Sequence, residues 1–173
     1  MKRSSLLFAP AVALSLVGAG CNPVQQAQDR AAESAVEQAT GGKVKVDANG
    51  NQMQIKGDNG AVTTVGENIS LPDSFPKDVP VYPGAKITAV SVSTSGEKGA
   101  ILNLRSTDDV SKVIQWYEDA MAKGGFKGTQ TMDAGQTKFR TYENGNVAVS
   151  FVYIPEMAQG SQGTTVSISR SEK

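Results

Sequence analysis

One stretch of this sequence, residues 106–124, has the periodicity of a long amphipathic helix, and short alternating runs lie on both sides of it. Apolar side chains recur there at three- and four-residue spacing, at Val110, Val113, Ile114, Tyr117, Ala120 and Met121. That spacing places them on one helical face. A single helix of this kind packs against one face of an antiparallel sheet. The sequence therefore predicts an α+β fold with one main helix.

The alternating runs give the order of the strands around this helix. Two runs precede it and four follow it, at residues 86–95, 100–105, 126–131, 137–142, 147–154 and 164–169. Asn-Gly, Ala-Gly and Gly-rich segments separate them, as expected for hairpin turns. Residues 147–154 are apolar at both odd and even positions, which favours a central strand. We predict a domain at residues 86–173 with the order β-β-α-β-β-β-β.

The preceding residues divide into three segments of different composition. Residues 21–42 are rich in Ala, Gln and Glu, and we predict a marginal helical spacer there. Residues 43–66 contain three short alternating runs joined by two Asn-Gly turns, which predict a small three-stranded β-meander. Residues 67–85 hold four of the seven prolines and predict a rigid extended connector.

The first residues have the composition of an export signal. Lys2 and Arg3 are followed by a mostly apolar run at residues 6–17 and by small residues before Cys21. These are the zones of a secretory signal peptide, and the apolar run is shorter than the roughly 20 residues that span a bilayer. We predict a signal peptide at residues 1–20.

The residues before Cys21 resemble the lipobox of bacterial lipoproteins. That resemblance implies lipidation of Cys21 and attachment to a membrane through acyl chains such as palmitate. Asn22 then favours the periplasmic side of the outer membrane, with the cell surface as an alternative. Ordinary cleavage that leaves Cys21 free or in an intermolecular disulfide is the other interpretation.

A second resemblance lies in the connector. Residues 75–85 read FPKDVPVYPGA, and this segment is similar to the opening of a domain found in uncharacterised bacterial lipoproteins. The resemblance extends over roughly residues 71–170. It implies two strands, a helix ending near Gly-Gly-Phe and further strands, and it implies no particular chemistry.

Composition excludes several classes of function. The chain has no histidine and one cysteine, which removes His-dependent triads, thiol nucleophiles, Cys/His zinc sites and haem ligation by histidine. Asp47, Asn49 and Asn51 are better interpreted as a turn than as a calcium loop, because Gln52 stands where an EF-hand needs glycine. We predict no cofactor and no metal. Without its leader the chain has a slight acidic excess, which argues against a nucleic-acid partner.

Few residues qualify as site candidates beyond Cys21. Trp116 and Tyr117 could form a sugar-stacking platform, although core packing is the favoured interpretation. Asp108 and Asp109 are explained by the helix dipole rather than by acid catalysis. Two Ser-x-x-Lys matches, Ser74 to Lys77 and Ser95 to Lys98, fall outside helices, where that motif does not function.

The sequence thus favours a non-catalytic module that is anchored to the membrane by its N-terminal lipid. Its predicted role is to bind another envelope protein or polymer, or to assist assembly. The alternative is a hydrolase, or an inhibitor of hydrolases, with its site on the open face of the sheet.

Overall fold

The computed structural model describes residues 34–47, 51–58, 60–93, 95, 98–158 and 161–173. Cys21, the predicted signal peptide and most of the predicted spacer lie outside the described residues. The chain forms a helix α1 at residues 34–39 and a longer helix α2 at Val110–Lys123. The described residues also contain nine strands: β1 (Val44–Val46), β2 (Gln52–Lys56), β3 (Ala61–Gly66), β4 (Lys86–Ser93), β5 (Gly99–Ser106), β6 (Lys127–Ala134), β7 (Thr137–Asn144), β8 (Val147–Ala158) and β9 (Ser161–Glu172).

The strands form one antiparallel sheet in the order β1-β2-β3-β4-β5-β9-β8-β7-β6. The C-terminal strand β9 lies between β5 and β8 and pairs with both. Strand β3 pairs with β4 from Val65↔Ala89 to Ala61↔Ser93, so the predicted meander continues the main sheet. The predicted α+β class and the order of strands around α2 are confirmed.

Helix α2 covers the middle of one face of the sheet, which we call the inner face. Val113, Tyr117 and Met121 are its buried residues, spaced as the apolar stripe predicts. Facing them are buried side chains from the central strands: Val90, Val92, Leu102, Leu104, Val149, Phe151, Tyr153, Val166 and Ile168. The opposite, outer face has neither helix nor strap packed on it among the described residues.

The N-terminal cap of α2 differs from the prediction. From the sequence, Ser106 or Thr107 is the favoured N-cap, with Asp108 and Asp109 in the first turn. The cap is Asp109, whose side chain accepts a hydrogen bond from the backbone N–H of Ser111, and the first turn contains no acid. Strand β5 extends to Ser106 and takes up that residue before the helix begins. The predicted end at Gly124 is confirmed.

The proline-rich connector forms a strap across the inner face. Phe75, Val79 and Tyr82 are buried along it, with Ile69 at its start, while Val81 is partly buried against the same core. Aromatic and aliphatic side chains therefore fix the strap to the sheet.

Strands β8 and β9 are longer than predicted. Residues 155–163 were expected to be a loop, but β8 continues to Ala158 and β9 starts at Ser161. Pro155 pairs with Thr164 of β9. The pairing of β7 with β8 begins only at Lys138↔Tyr153, so β9 is the one strand that pairs with β8 at Pro155. Proline has no backbone N–H, and at this position no hydrogen bond to β7 is lost.

No helix within the described ranges is long and apolar enough to cross a membrane.

Candidate functional site

A cleft of about 380 Å³ opens at one end of the sheet, where β3 and β5 end and β4 and β9 begin. Pockets for small ligands are commonly about 300–1,000 Å³, so this cleft is of a suitable size for a small molecule. Charged and polar side chains from distant parts of the sequence line it, together with Ile87, Gly84 and Gly163. The four ionisable residues in the lining are Glu67, Lys86, Arg105 and Glu156.

Arg105 and Glu156 form an ion pair on one side of the cleft. The Nε atom of Arg105 donates to Oε2 of Glu156 at 2.6 Å, and Nη2 of Arg105 contacts the same oxygen. The hydroxyl of Thr165 donates to the other carboxylate oxygen at 2.5 Å. These contacts hold the pKa of Glu156 below its ordinary value, with the Thr165 hydrogen bond as the largest cause. Glu156 therefore remains a carboxylate that neutralises Arg105.

Lys86 lies directly across from Arg105 in the β4–β5 ladder. Its side chain is exposed and forms no hydrogen bond or ion pair with the described part of the chain. Like charges directly opposite one another in a sheet repel. The ion pair with Glu156 neutralises Arg105 but not Lys86, which has no ion-pair partner among the described residues, although the carboxylate of Glu67 also lines the cleft.

The wall of the cleft is tightly packed at Gly163. A Cβ atom at this position would lie 2.9 Å from the carbonyl oxygen of Ser106, which is too close for a carbon next to rigid backbone. Thr164, the next residue, is fully buried and donates its hydroxyl to the carbonyl of Asp108 at 2.9 Å. The start of β9 is thus fixed both to the end of β5 and to the residues that lead into α2.

Asp108 connects the strap to the helix beside this wall. It accepts hydrogen bonds from Tyr82 Oη at 2.7 Å and from Lys112 Nζ at 2.9 Å. The Lys112 and Tyr82 hydrogen bonds, in that order, lower the pKa of Asp108. Burial and the hydrogen bond to Asp108 raise the pKa of Tyr82 to about 12. Both groups therefore keep their neutral-pH states, Asp108 charged and Tyr82 neutral.

The aromatic candidates from the sequence lie in or beside the core. Tyr117 is 0% exposed and its hydroxyl accepts a hydrogen bond from the backbone N–H of Tyr82 at 3.2 Å. Trp116 is partly buried, and its ring meets the Tyr82 ring edge-on at a centroid distance of 5.2 Å. Tyr117 offers no surface to a ligand, whereas Trp116 is partly exposed.

The other candidates are separated from the cleft or bonded elsewhere. Asp109 caps α2. Ser74 and Lys77 are exposed in the strap. Cys21 and Asn49 lie outside the described residues, and Asp47 accepts a hydrogen bond from the backbone N–H of Gln52 at 2.9 Å, as in a turn. No group of three or more acidic, cysteine or histidine residues within the described ranges is arranged to hold a metal ion.

Sequence reasoning did not identify the residues of the cleft. Lys86, Arg105 and Glu156 stand singly at strand ends, and no short motif links them. They meet because β4 pairs with β5 and because β9, the last strand, lies between β5 and β8. A lone basic residue at the start of one strand and another at the end of the next was the only available signal.

The described geometry is that of a small α+β domain with a charged cleft at one end of its sheet. A family model described as START domain-like matches residues 87–173, from the second residue of β4 to the C-terminus. The chain belongs to this START domain-like family, which indicates a ligand-binding module. No curated protein and no solved structure matches the chain. The segment that resembles the lipoprotein domain, residues 75–85, precedes the matched region, so that resemblance stays a prediction.

Proposed function

We propose that this protein is a non-catalytic, lipid-anchored binding module of the bacterial envelope, and that its cleft binds a ligand carrying an anionic group. The observation that carries the proposal is the ammonium group of Lys86, which is exposed in the cleft beside Arg105 and has no direct partner among the described residues. A carboxylate or phosphate on the ligand would supply that partner. It would also accept hydrogen bonds from the remaining N–H groups of Arg105, which is suited to planar anions.

Family membership supports the binding role, because the match includes Arg105, Glu156 and Gly163 of the cleft. The lining also supports it, since Ile87 and Gly84 offer an apolar and open surface next to the charges. Clefts that combine apolar surface with a few convergent polar groups are characteristic of small-molecule sites. The anionic group belongs either to a free small molecule or to an envelope polymer.

The anchoring part of the proposal depends on the sequence around Cys21. A lipid-modified Cys21 followed by Asn22 would attach the domain to a membrane, with the periplasmic side of the outer membrane as the favoured place. Two or more acyl chains are required for stable attachment. Labelling with radioactive palmitate should mark the wild-type chain and not a Cys21→Ser variant, and equal labelling of both would disprove the anchor.

The cleft is tested by NMR titration of the full chain in an uncharged detergent. Inorganic phosphate and acetate serve as probes, against potassium chloride at equal ionic strength. We expect backbone amide shifts at residues 84–88 and 105–107. Lys86→Ala should weaken phosphate binding about fivefold, because an exposed ion pair contributes up to about 1 kcal/mol.

Lys77→Ala is the matched control, because Lys77 is an exposed lysine in the strap that does not line the cleft. Equal weakening in both variants, or shifts spread over the surface, would show that the anions bind without a site. Co-sedimentation with purified insoluble envelope polymer distinguishes the sources of the ligand. Retention that is lost in Lys86→Ala indicates a polymer, and phosphate binding without retention indicates a free small molecule.

A further inference from the structure

The outer face of the sheet has an unusual distribution of side chains. Five large hydrophobic residues in strands are exposed by 38–47%, and all five point to this face: Met53, Ile55, Ile101, Met132 and Ile154. Large apolar groups that share one uncovered face commonly mark an interaction surface. The feature is distinct from the cleft, whose charged residues lie at one end of the same face.

One cross-strand row runs through all nine strands on this face. In spatial order from β1 to β6 it reads Val46, Met53, Val65, Ala89, Asn103, Ser167, Val152, Phe139 and Met132. Asn103 lies on β5, the middle strand. Outward from Asn103, the two halves of the row have the same order of side-chain types, although they come from different parts of the sequence. The matching pairs are Ala89 and Ser167, Val65 and Val152, Met53 and Phe139, and Val46 and Met132.

The adjoining row is symmetric only near its centre, Ile101, where Ser91 and Ser169 are followed by Thr63 and Ser150, and its outer positions differ on the two sides. It reads Val44, Ile55, Thr63, Ser91, Ile101, Ser169, Ser150, Thr141 and Gln130. Ile101 is 47% exposed between the small side chains of Ser91 and Ser169. Neither row contains a charged residue. Among the described residues of this face, the charged ones lie beyond the rows, with Lys86, Arg105 and Glu156 at one end of the strands and Glu143 and Lys127 at the other.

We infer that this face binds the same face of a second copy of the chain, around a two-fold axis that runs along β5. Such an axis superposes each row on itself in reverse order. Val65 then meets Val152 of the second copy, Met53 meets Phe139, and Val46 meets Met132. Each contact occurs twice, and Ile101 meets Ile101 on the axis. A two-fold interface requires a surface that complements itself, and the row through Asn103, with the same order of side-chain types on both sides, provides one.

The size and composition of the face agree with a dimer interface. Nine strands at about 4.8 Å spacing span roughly 40 Å, and two to three outward positions along each strand add roughly 10–17 Å, which gives about 400–700 Å². A standard interface buries about 800 Å² on each partner. The uncharged centre and charged ends also match the usual arrangement, in which charged residues are depleted from the interface core. Facing sheets with aligned strands are a common packing.

The first test is sedimentation of the full chain in a density-matched detergent. Wild type should sediment as a dimer. Ile101→Lys places two ammonium groups against each other on the axis and should weaken dimerisation by at least tenfold. Because Ile101 is exposed in the single chain, the variant should remain folded, although it loses the stabilisation that dimerisation gives to the wild type. Val36→Lys is the control, since Val36 is exposed by 37% on α1.

Two lipid-anchored chains in one micelle would also sediment as a dimer, but Ile101→Lys would then sediment like wild type. A wild-type monomer, or an Ile101→Lys variant that dimerises like wild type, would overturn the inference. The second test places photoreactive benzoylphenylalanine at Phe139, with Trp116 on the covered face as control. A product of twice the chain mass, linked to β2, supports the dimer. A link only to a different protein overturns it.

Discussion

At the scale of single residues, the charges at the end of the sheet are balanced unequally. Glu156 accepts hydrogen bonds on both oxygens, from Arg105 and from Thr165. Its side chain is 23% exposed, against 60% for Arg105. The carboxylate is therefore the ordered member of the pair, and it also joins β8, β5 and β9. Lys86, with no such partner, is left available to a ligand.

The Glu156 ion pair predicts a loss of stability in acid. The folded chain lowers the pKa of Glu156 below its ordinary value of 4.5. Its contribution is complete above pH 4.5 and is lost as the pH falls through the lower folded pKa. Glu156→Gln should reduce the free energy of unfolding by about 0.5–1 kcal/mol at pH 7 and by almost nothing at pH 2. Urea unfolding at both pH values measures this, with Glu67→Gln as control. A deficit that persists at pH 2 would contradict the electrostatic explanation.

At the scale of elements, the strap and α2 are joined by a small polar network within an aromatic cluster. Tyr82 packs edge-on against Trp116, and its backbone N–H and hydroxyl bind Tyr117 and Asp108. Residues 67–85 have no strand of their own. Their position depends on these contacts and on the burial of Phe75 and Val79. Tyr82 thus couples the strap to the start of the helix.

Removing the Tyr82 hydroxyl should loosen the strap. The pKa of Tyr82 rises from 10.0 to about 12 in the folded chain, so its contribution is complete below pH 10 and is lost as the pH rises through 12. Tyr82→Phe should lower the free energy of unfolding by about 1–2 kcal/mol at pH 8, because one hydrogen bond to a charged group is lost. The loss of stability between pH 8 and pH 11 should also be smaller than in wild type. Urea unfolding at the two pH values measures both effects.

Tyr153→Phe is the matched control for this prediction. The Tyr153 hydroxyl is buried and has no hydrogen-bond partner among the described residues. Its removal should leave the stability unchanged or increase it by up to about 1 kcal/mol. If both phenylalanine variants lose stability equally, the Tyr82–Asp108 hydrogen bond does not hold the strap.

The elements themselves were largely predictable from local patterns, whereas the cleft was not. The face of α2 follows from the spacing of Val113, Tyr117 and Met121, and the hairpins follow from their turn residues. The N-cap is Asp109 rather than Ser106 because Ser106 is the last residue of β5. The length of this strand, and not the local preference of Ser106, therefore sets where the helix begins. The cleft depends on register: Lys86, Arg105 and Glu156 become neighbours only through the pairing of β4, β5, β9 and β8. The alternation of apolar and polar residues along a strand predicts the face of the sheet on which each side chain lies. It does not predict which residue lies opposite on the neighbouring strand.

At the scale of the whole molecule, the continuous sheet predicts that the N-terminal strands unfold together with the rest. Val90 on β4 is 2% exposed and pairs with both Thr64 of β3 and Leu102 of β5. If strands β1–β3 were a separate unit, they would unfold locally while the rest of the domain stayed folded. Because β3 pairs with β4 of the main sheet, we expect β3 to unfold only when the whole domain unfolds.

Native-state hydrogen exchange with Val90→Ala tests this cooperativity. Truncation of a buried valine should cost about 1–2 kcal/mol. The protection of amides in β3 and β9 should fall by the same amount, because both depend on the core around Val90. Val44→Ala in the three-residue edge strand β1 is the control, and it should affect only β1 and β2. If Val90→Ala lowers the protection of β9 and leaves β3 unchanged, then β1–β3 open independently and the sheet is not one cooperative unit.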